Sequence, residues 1–165
     1  MANQKDIENE FIERIEKHQG ILHKICFVYA NPITDKDDLY QEMVLQLWKS
    51  YSSFKGNSKF STWMYRVALN TAITLTKKPK LVLKDVEKHP MSESIEKSMD
   101  YSEDVKLLYK AISYLNKVEK AIVLLWLEEK SYAEIAETIG ITVSNVSVKL
   151  TRIKVKLAEI IEKLQ

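Results

Sequence analysis

Cationic and short polar side chains lie close together near the C-terminal end of the chain, within Ser131–Lys156. Lys149, Arg152, Lys154 and Lys156 follow one another closely, and the sequence has no acid between Asn145 and Leu157. Such groups hydrogen-bond to phosphates and to the edges of bases, guanine above all. The chemistry that this segment supports is nucleic-acid binding.

Capping residues indicate two short helices that would position those side chains. Ser131 and Glu134 form a capping box, and Gly140 lies where a helix end needs a left-handed residue. Thr142 then caps a last helix. Apolar residues on this helix recur at spacings of four, three and four, which predicts a buried stripe: Val146, Leu150, Ile153 and Leu157.

The opposite side of the last helix is predicted to be exposed and to face DNA. It presents Ser144, Asn145, Ser147, Val148, Lys149, Thr151, Arg152 and Val155. A helix-turn-helix places such a helix in the major groove, where Val148 has a partner in a thymine methyl. Two plainer readings stay open: Val148 as an isolated exposed valine, and the helix as a solvated basic helix of an ordinary bundle.

A second group of residues combines aromatic rings with cations, from Phe54 to Arg66. Single-stranded nucleic acid is bound by this combination. Phe60 and Trp63 fit a buried stripe with Val67, so we expect them in the core rather than as stacking platforms. The residues left available to a ligand are Asn57, Ser58, Lys59, Thr62, Tyr65, Arg66 and Asn70.

Helical periodicity dominates the rest of the chain and predicts an all-α protein. A first helix ends near Asn31-Pro32 and has one apolar stripe: Ile7, Phe11, Ile15, Leu22, Ile25 and Tyr29. Further helices are predicted at Asp38–Tyr51 and Phe60–Thr76. Leu81–Glu103 contains more acids than lysines, with Pro90 and four serines, as is typical of a linker. We predict two small helical domains, residues 1–80 and 104–165, joined by a flexible linker, the C-terminal one a helix-turn-helix.

Composition limits the classes of function. The chain has 165 residues, a net charge of +2 and a single cysteine, which excludes an intrachain disulfide and fits a reducing cytoplasm. No apolar run approaches the roughly 20 residues of a membrane span, so we expect no membrane insertion. His18, His23 and His89 are scattered. We therefore expect no catalysis, small-molecule substrate, cofactor or metal.

The order of these segments resembles a known family. The chain resembles a small sigma-70 family RNA polymerase sigma factor of the extracytoplasmic-function (ECF) group. Asp38-Leu39-Tyr40-Gln41-Glu42 through Trp48 is similar to the segment that binds core polymerase. Phe54–Asn70 is similar to the promoter-melting segment, and Leu115–Lys156 to the domain that reads the upstream promoter element.

The resemblance implies a role for each group of residues. Contacts with core polymerase, at the β′ clamp helices, would be made by Asp38, Gln41, Glu42, Leu45 and Lys49. The −10 element would be bound by Lys55, Gly56, Asn57, Ser58, Lys59, Thr62, Tyr65, Arg66 and Asn70, with the loop Lys55–Lys59 capturing a flipped base. The −35 element would be bound by Ser144, Asn145, Ser147, Val148, Lys149, Arg152, Lys154 and Lys156.

The same resemblance implies the partners: core polymerase through the β′ clamp helices and the β flap, promoter DNA both duplex and single-stranded, and an anti-sigma protein. Leu69 departs from the family, where a polar or basic residue is usual. We expect Leu69 on an exposed face with Ile73, so that either melting contacts are weaker or a partner covers this surface.

Two other classes of protein remain open on the sequence. A dimeric helix-turn-helix regulator would bind palindromic DNA without polymerase, but it leaves Asp38–Asn70 without a role. A helical adaptor would show no salt-dependent DNA binding at all.

Overall fold

The computed structural model describes residues 2–76 and 101–165, and the regular structure in these segments is helical throughout. The helices are α1 (Gln4–Lys17), α2 (Gln19–Tyr29), α3 (Lys36–Ser50), α4 (Phe60–Leu75), α5 (Glu103–Ile112), α6 (Lys117–Leu127), α7 (Tyr132–Ile139) and α8 (Val143–Leu164), with a 3-10 turn at Tyr51–Ser53. The predicted all-α class is confirmed. Most of the predicted linker lies outside the described residues, and Glu103, placed in it, is the first residue of α5.

The single first helix predicted from the sequence is wrong, because the chain forms α1 and α2 with a break at His18. His18 leaves helical geometry, with φ −112° and ψ 16°, so α1 ends and α2 begins at this residue. Gly20 follows within the first turn of α2, where its conformational freedom disfavours continuation of a helix. The apolar stripe nevertheless stays in one core, since Phe11, Ile15 and Leu22 are all buried.

The N-terminal half is built on α3, which packs against α4 and α2. Asp35 caps α3, and its carboxylate accepts from the backbone N–H of Asp37 at 3.0 Å. Leu39, Met43 and Leu47 are fully buried along α3. This arrangement leaves the opposite face of α3 toward solvent.

The C-terminal half has the local chemistry predicted for a helix-turn-helix. The Ser131 hydroxyl accepts from the Glu134 N–H at 3.1 Å, and the Glu134 carboxylate accepts from the Ser131 N–H at 3.2 Å. Gly140 is left-handed with φ 84°, and Thr142 caps α8 at 3.1 Å. The predicted stripe of Val146, Leu150, Ile153 and Leu157 is buried. Capping residues that are close together in sequence therefore determine the turn that orients α8.

The two halves pack against each other through α2 and α4 on one side and α5 and α6 on the other. The expectation that Leu69 is exposed is wrong, because Leu69 is only 1% exposed. It shares an α4 stripe with Thr62, Tyr65 and Ile73, each of which bonds to the C-terminal half. The surface that the sequence left uncovered is therefore covered by the same chain.

Candidate nucleic-acid interface

The face of α8 predicted to read DNA is exposed. Ser144, Asn145, Ser147 and Arg152 are exposed, and Lys149 is half-buried. Val148 is 48% exposed, close to the value of 49% for Val143 at the start of the helix. This face lies within the first turns after the Thr142 cap, the part of a recognition helix that reaches base edges.

Lys154 and Lys156, which were also predicted to bind the −35 element, contact other residues of the C-terminal half. The Lys156 ammonium lies 2.9 Å from a carboxylate oxygen of Glu119 on α6. The Lys154 ammonium lies 4.7 Å from the centre of the Trp126 ring. The two lysines flank the buried stripe from opposite sides, so neither is central to the exposed face. Arg152 is consequently the best-placed free cation among the predicted −35 contacts.

The loop between the 3-10 turn and α4 is exposed from Lys55 to Lys59. Gly56 has φ 77°, a left-handed conformation that suits glycine. Lys55 and Gly56 border a cavity of about 730 Å³. Its other lining residues come from α1, α3 and the turn after it: Gln4, Ile7, Glu10, Arg14, Trp48, Lys49, Tyr51, Ser52 and Phe54.

The wall of this cavity combines rings with fixed charge. Arg14 lies 5.6 Å from the centre of the Phe54 ring and 5.9 Å from that of Tyr51, within the range of cation–π attraction. The Tyr51 hydroxyl donates to the Glu10 carboxylate. Burial and this hydrogen bond raise the pKa of Tyr51 to about 12. The hydroxyl stays neutral at physiological pH, so the charges in this part of the wall are those of Arg14 and Glu10.

On α4 the predicted contacts divide into two sets. Arg66 and Asn70 are exposed. Tyr65, predicted to be available to a ligand, is 2% exposed, and its hydroxyl donates to Glu128 at 2.7 Å. Thr62 is half-buried and accepts from the Lys130 ammonium at 2.8 Å. The prediction that Tyr65 is available to a ligand is therefore wrong. Three other α4 residues predicted to form its buried stripe are only half-buried: Phe60, Trp63 and Val67.

The predicted docking face of α3 is presented to solvent. Asp38, Gln41 and Lys49 are exposed, and Leu45 is 43% exposed. Glu42 is half-buried and accepts from the Gln46 side chain at 2.9 Å. These residues form one stripe beside the α3–α4 groove, and exposed Asn70 lies in the wall of that groove.

Sequence reasoning missed several residues that shape these surfaces. Arg14 and Trp48 border the cavity; Arg14 comes from α1, far from the loop in sequence, and Trp48 from the end of α3. Lys24 and Glu128 form an ion pair of 3.1 Å between the two halves. No signal in the sequence indicated Arg14 or the Lys24–Glu128 pair.

Family models match the chain in two blocks that coincide with these surfaces. The model described as Sigma-70 region 2 matches residues 14–80, and the one described as Sigma-70, region 4 matches residues 106–157. The first block holds the α3 face, the loop and α4; the second holds the helix-turn-helix. A fold and a set of exposed faces of this kind define a promoter-specificity subunit of RNA polymerase.

Relatives agree with that class. The chain is 31% identical over 132 residues to an ECF RNA polymerase sigma-E factor of Haemophilus influenzae, covering 72% of this chain and 70% of that one. It is 24% identical over 164 residues to the ECF RNA polymerase sigma factor SigW of Bacillus subtilis, covering 90% and 87%. The chain belongs to the ECF group of sigma-70 family RNA polymerase sigma factors.

Solved structures share the fold. CnrH, in complex with the cytosolic domain of CnrY, matches with a TM-score of 0.62 and 20% identity over 98% of this chain and 91% of that one. RpoE of Bartonella quintana, in complex with the anti-sigma factor NepR, matches with a TM-score of 0.64 and 15% identity over 93% and 97%. Within residues 2–76 and 101–165, every helix is too short or too polar to cross a membrane.

Proposed function

We propose that this sigma factor binds a promoter at two points. Residues 1–80 contact the −10 element and core polymerase, residues 103–165 contact the −35 element, and residues 81–102 form the linker. The observation that supports this division is the presence of three separate exposed faces in one chain: the α3 stripe, the Lys55–Lys59 loop with its cavity, and the start of α8. A dimeric helix-turn-helix regulator would not need the α3 stripe or the Lys55–Lys59 loop. Family membership also favours the polymerase-dependent reading.

The α8 face meets duplex DNA at the −35 element. Arg152 and Lys149 supply donors to guanine or phosphate, and Val148 supplies a surface for a thymine methyl. The net charge of +2 is small, so duplex binding by the free chain is weak. Tethering to polymerase raises the effective concentration of this contact.

Replacing Arg152 by alanine is expected to weaken duplex binding in a salt-dependent manner. If the guanidinium contacts one phosphate, the log–log slope of affinity against salt falls by about one unit. Fluorescence anisotropy of the polymerase holoenzyme on a −35 duplex, at a series of salt concentrations, measures the slope. Lys163→Ala is the matched control, since it removes a cation from the exposed end of the same helix. An unchanged slope in Arg152→Ala would remove Arg152 from the phosphate contacts.

The Lys55–Lys59 loop and its cavity receive a base flipped out of the −10 element. The volume of about 730 Å³ exceeds that of a nucleobase, and rings of Trp48, Tyr51 and Phe54 offer stacking surfaces. Arg14, Lys49 and Lys55 lie around the same opening and attract the phosphates. Arg66 and Asn70, exposed on α4, hold the adjacent single strand. Exposing an unstacked base costs a few kcal/mol, which these contacts offset.

The α3 stripe docks on the β′ clamp helices. Asp38 and Glu42 provide acids, Gln41 an amide, and Leu45 an exposed apolar side chain, a mixture suited to a moderately polar interface. The chain works as a cytoplasmic binding subunit without catalysis of its own. An anti-sigma protein is a further partner, supported by the structure of RpoE with NepR.

Transcription in vitro tests the whole proposal. Core polymerase with this chain is expected to start at defined sites on a genomic DNA library, and core polymerase alone is not. Aligned start sites would supply the −10 and −35 sequences. A library that yields no start sites dependent on this chain would contradict the proposed function.

A further inference from the structure

The cavity beside the Lys55–Lys59 loop has a carboxylate fixed in its wall. Glu10 and Arg14 are one turn apart on α1, and both line the cavity. An Arg14 Nη2 atom lies 3.3 Å from Glu10 Oε1, and the Tyr51 hydroxyl donates to the same oxygen. A cation and a hydroxyl from two different segments therefore hold one carboxylate in place.

These contacts leave the other carboxylate oxygen of Glu10 for a ligand. In the part of the chain that the structure describes, the ion pair and the hydrogen bond of Glu10 both use Oε1, so Oε2 is left to accept a hydrogen bond. The Glu10 side chain is 55% exposed, which makes this oxygen accessible from the cavity. Arg14 lies 5.6 Å and 5.4 Å from the centres of the Phe54 and Phe60 rings, and it has N–H groups beyond the one that faces Glu10. The wall thus presents one acceptor beside several donors.

A carboxylate at this place is unfavourable for nucleic acid in general. Its charge repels the phosphates that the neighbouring Arg14, Lys49 and Lys55 attract. A carboxylate favours nucleic acid only where it accepts from an N–H group of a base, as it does from the amino group of cytosine. Glu10 therefore lowers the affinity for bases that cannot donate to it, which gives the cavity specificity.

The four bases differ in what they can donate to Oε2 of Glu10. A flipped base is read at its Watson–Crick edge. Adenine, cytosine and guanine have an exocyclic amino group on that edge, and a carboxylate is a strong acceptor for it. Thymine has no amino group, and its one ring N–H lies between two carbonyl oxygens that a carboxylate repels. The wall formed by Glu10 and Arg14 therefore suits an amino-bearing base and disfavours thymine.

We propose that Glu10, held in place by Tyr51 and Arg14, makes this cavity selective for an unpaired base with an exocyclic amino group and against thymine. Oε2 of Glu10 accepts from the amino group, and Arg14 donates to the ring nitrogen or carbonyl oxygen beside it. The first helix thereby takes part in reading the −10 sequence. This inference rests on the proposed capture of a flipped −10 base in the cavity.

Single-stranded −10 oligonucleotides bound to the holoenzyme test this selectivity. The promoter mapped by transcription supplies the sequence, and each position carries each of the four bases in turn. At one position the amino-bearing base of the promoter is expected to bind the wild type about tenfold more tightly than thymine, a modest ratio because Glu10 is half exposed. Glu10→Gln is expected to reduce this ratio to about threefold or less, because its amide also donates to carbonyl oxygens.

Glu13→Gln is the matched control for this experiment. Glu13 is exposed on the same helix, outside the cavity wall, so this variant is expected to keep the wild-type ratio. Equal ratios in Glu10→Gln and Glu13→Gln at every position overturn the proposal.

Removal of the amino group alone gives a second test. At the selective position, purine replaces adenine, 2-pyrimidinone replaces cytosine, or hypoxanthine replaces guanine. The wild-type holoenzyme is expected to lose about tenfold in affinity, and Glu10→Ala, which has no acceptor there, is expected to lose none. An equal loss in the two proteins shows that another group reads the amino group, and this result overturns the proposal.

Failure of the proposed function gives a different result. If the wild-type holoenzyme binds single-stranded −10 DNA no better than core polymerase alone, the capture of a base is wrong, and the selectivity of Glu10 is wrong with it. If the wild type binds the DNA but accepts thymine as well as the other bases at every position, the proposed function stands and the role of Glu10 is wrong.

Discussion

Asp38→Lys is expected to abolish association of this sigma factor with core polymerase. Asp38 is exposed in the first turn of α3, at the N-terminal end of the docking stripe with Gln41, Glu42 and Leu45. Reversing a charge in an electrostatic contact replaces attraction by repulsion, which costs about 2–5 kcal/mol when the contact is desolvated. The corresponding loss of affinity is about thirtyfold or more. Competition with labelled wild-type chain for core polymerase measures it.

Asp37→Lys is the matched control for this experiment. Asp37 is exposed in the same helical turn and loses the same favourable interaction with the helix dipole, but it lies about 100° around the helix from Asp38. Both variants are expected to keep the helical circular-dichroism signal of the wild-type chain. Retention of wild-type affinity by Asp38→Lys, or equal losses in both variants, would show that the docking stripe is misplaced.

The sequence predicted the C-terminal half well because its signals are local. A capping box, a glycine at a helix end and a four-three-four apolar spacing each act within a few residues. The structure has all three, at Ser131–Glu134, Gly140 and the stripe from Val146 to Leu157. Exposure of the α8 face at Arg152 and Val148 follows from that stripe.

The errors on α4 have a different cause. The apolar pattern of α4 fits more than one stripe, because Phe60, Trp63 and Val67 pack at one edge while Met64, Ala68 and Ala72 are fully buried. Periodicity shows that a helix has an apolar stripe, but it does not identify a second buried face supplied by a distant segment.

Contacts between the halves were beyond sequence reasoning for a related reason. Tyr65 and Glu128 are 63 residues apart, and a tyrosine followed by an arginine on a helix is typical of nucleic-acid contact as well as of an internal hydrogen bond. Two of the residues that the resemblance assigns to the −10 element, Thr62 and Tyr65, thus bond to residues 128–130 of the C-terminal half.

Lys120→Met is expected to stabilise the folded chain by about 1–3 kcal/mol at neutral pH. The ammonium is half-buried against Tyr29, and burial together with Lys117 lowers its pKa to about 8 from the ordinary 10.5. Below pH 8 the fold must hold a desolvated charge that the unfolded chain keeps in water. Methionine fills a similar volume without that cost, and losing the cation–π contact with Tyr29 offsets about 1–2 kcal/mol of this gain.

The pH dependence identifies the group. Between pH 8 and 10.5 the unfolded wild-type chain binds more protons at Lys120 than the folded chain, so the stability of the wild type rises with pH in this window. The advantage of Lys120→Met is therefore full below pH 8 and is expected to shrink on going from about pH 7 to about pH 9.5. Urea unfolding at both pH values measures the gap, which is the difference in free energy of unfolding between Lys120→Met and the wild type. The exposed Lys163→Met is the control. A gap that is the same at both pH values would show that the proton on Lys120 does not oppose folding.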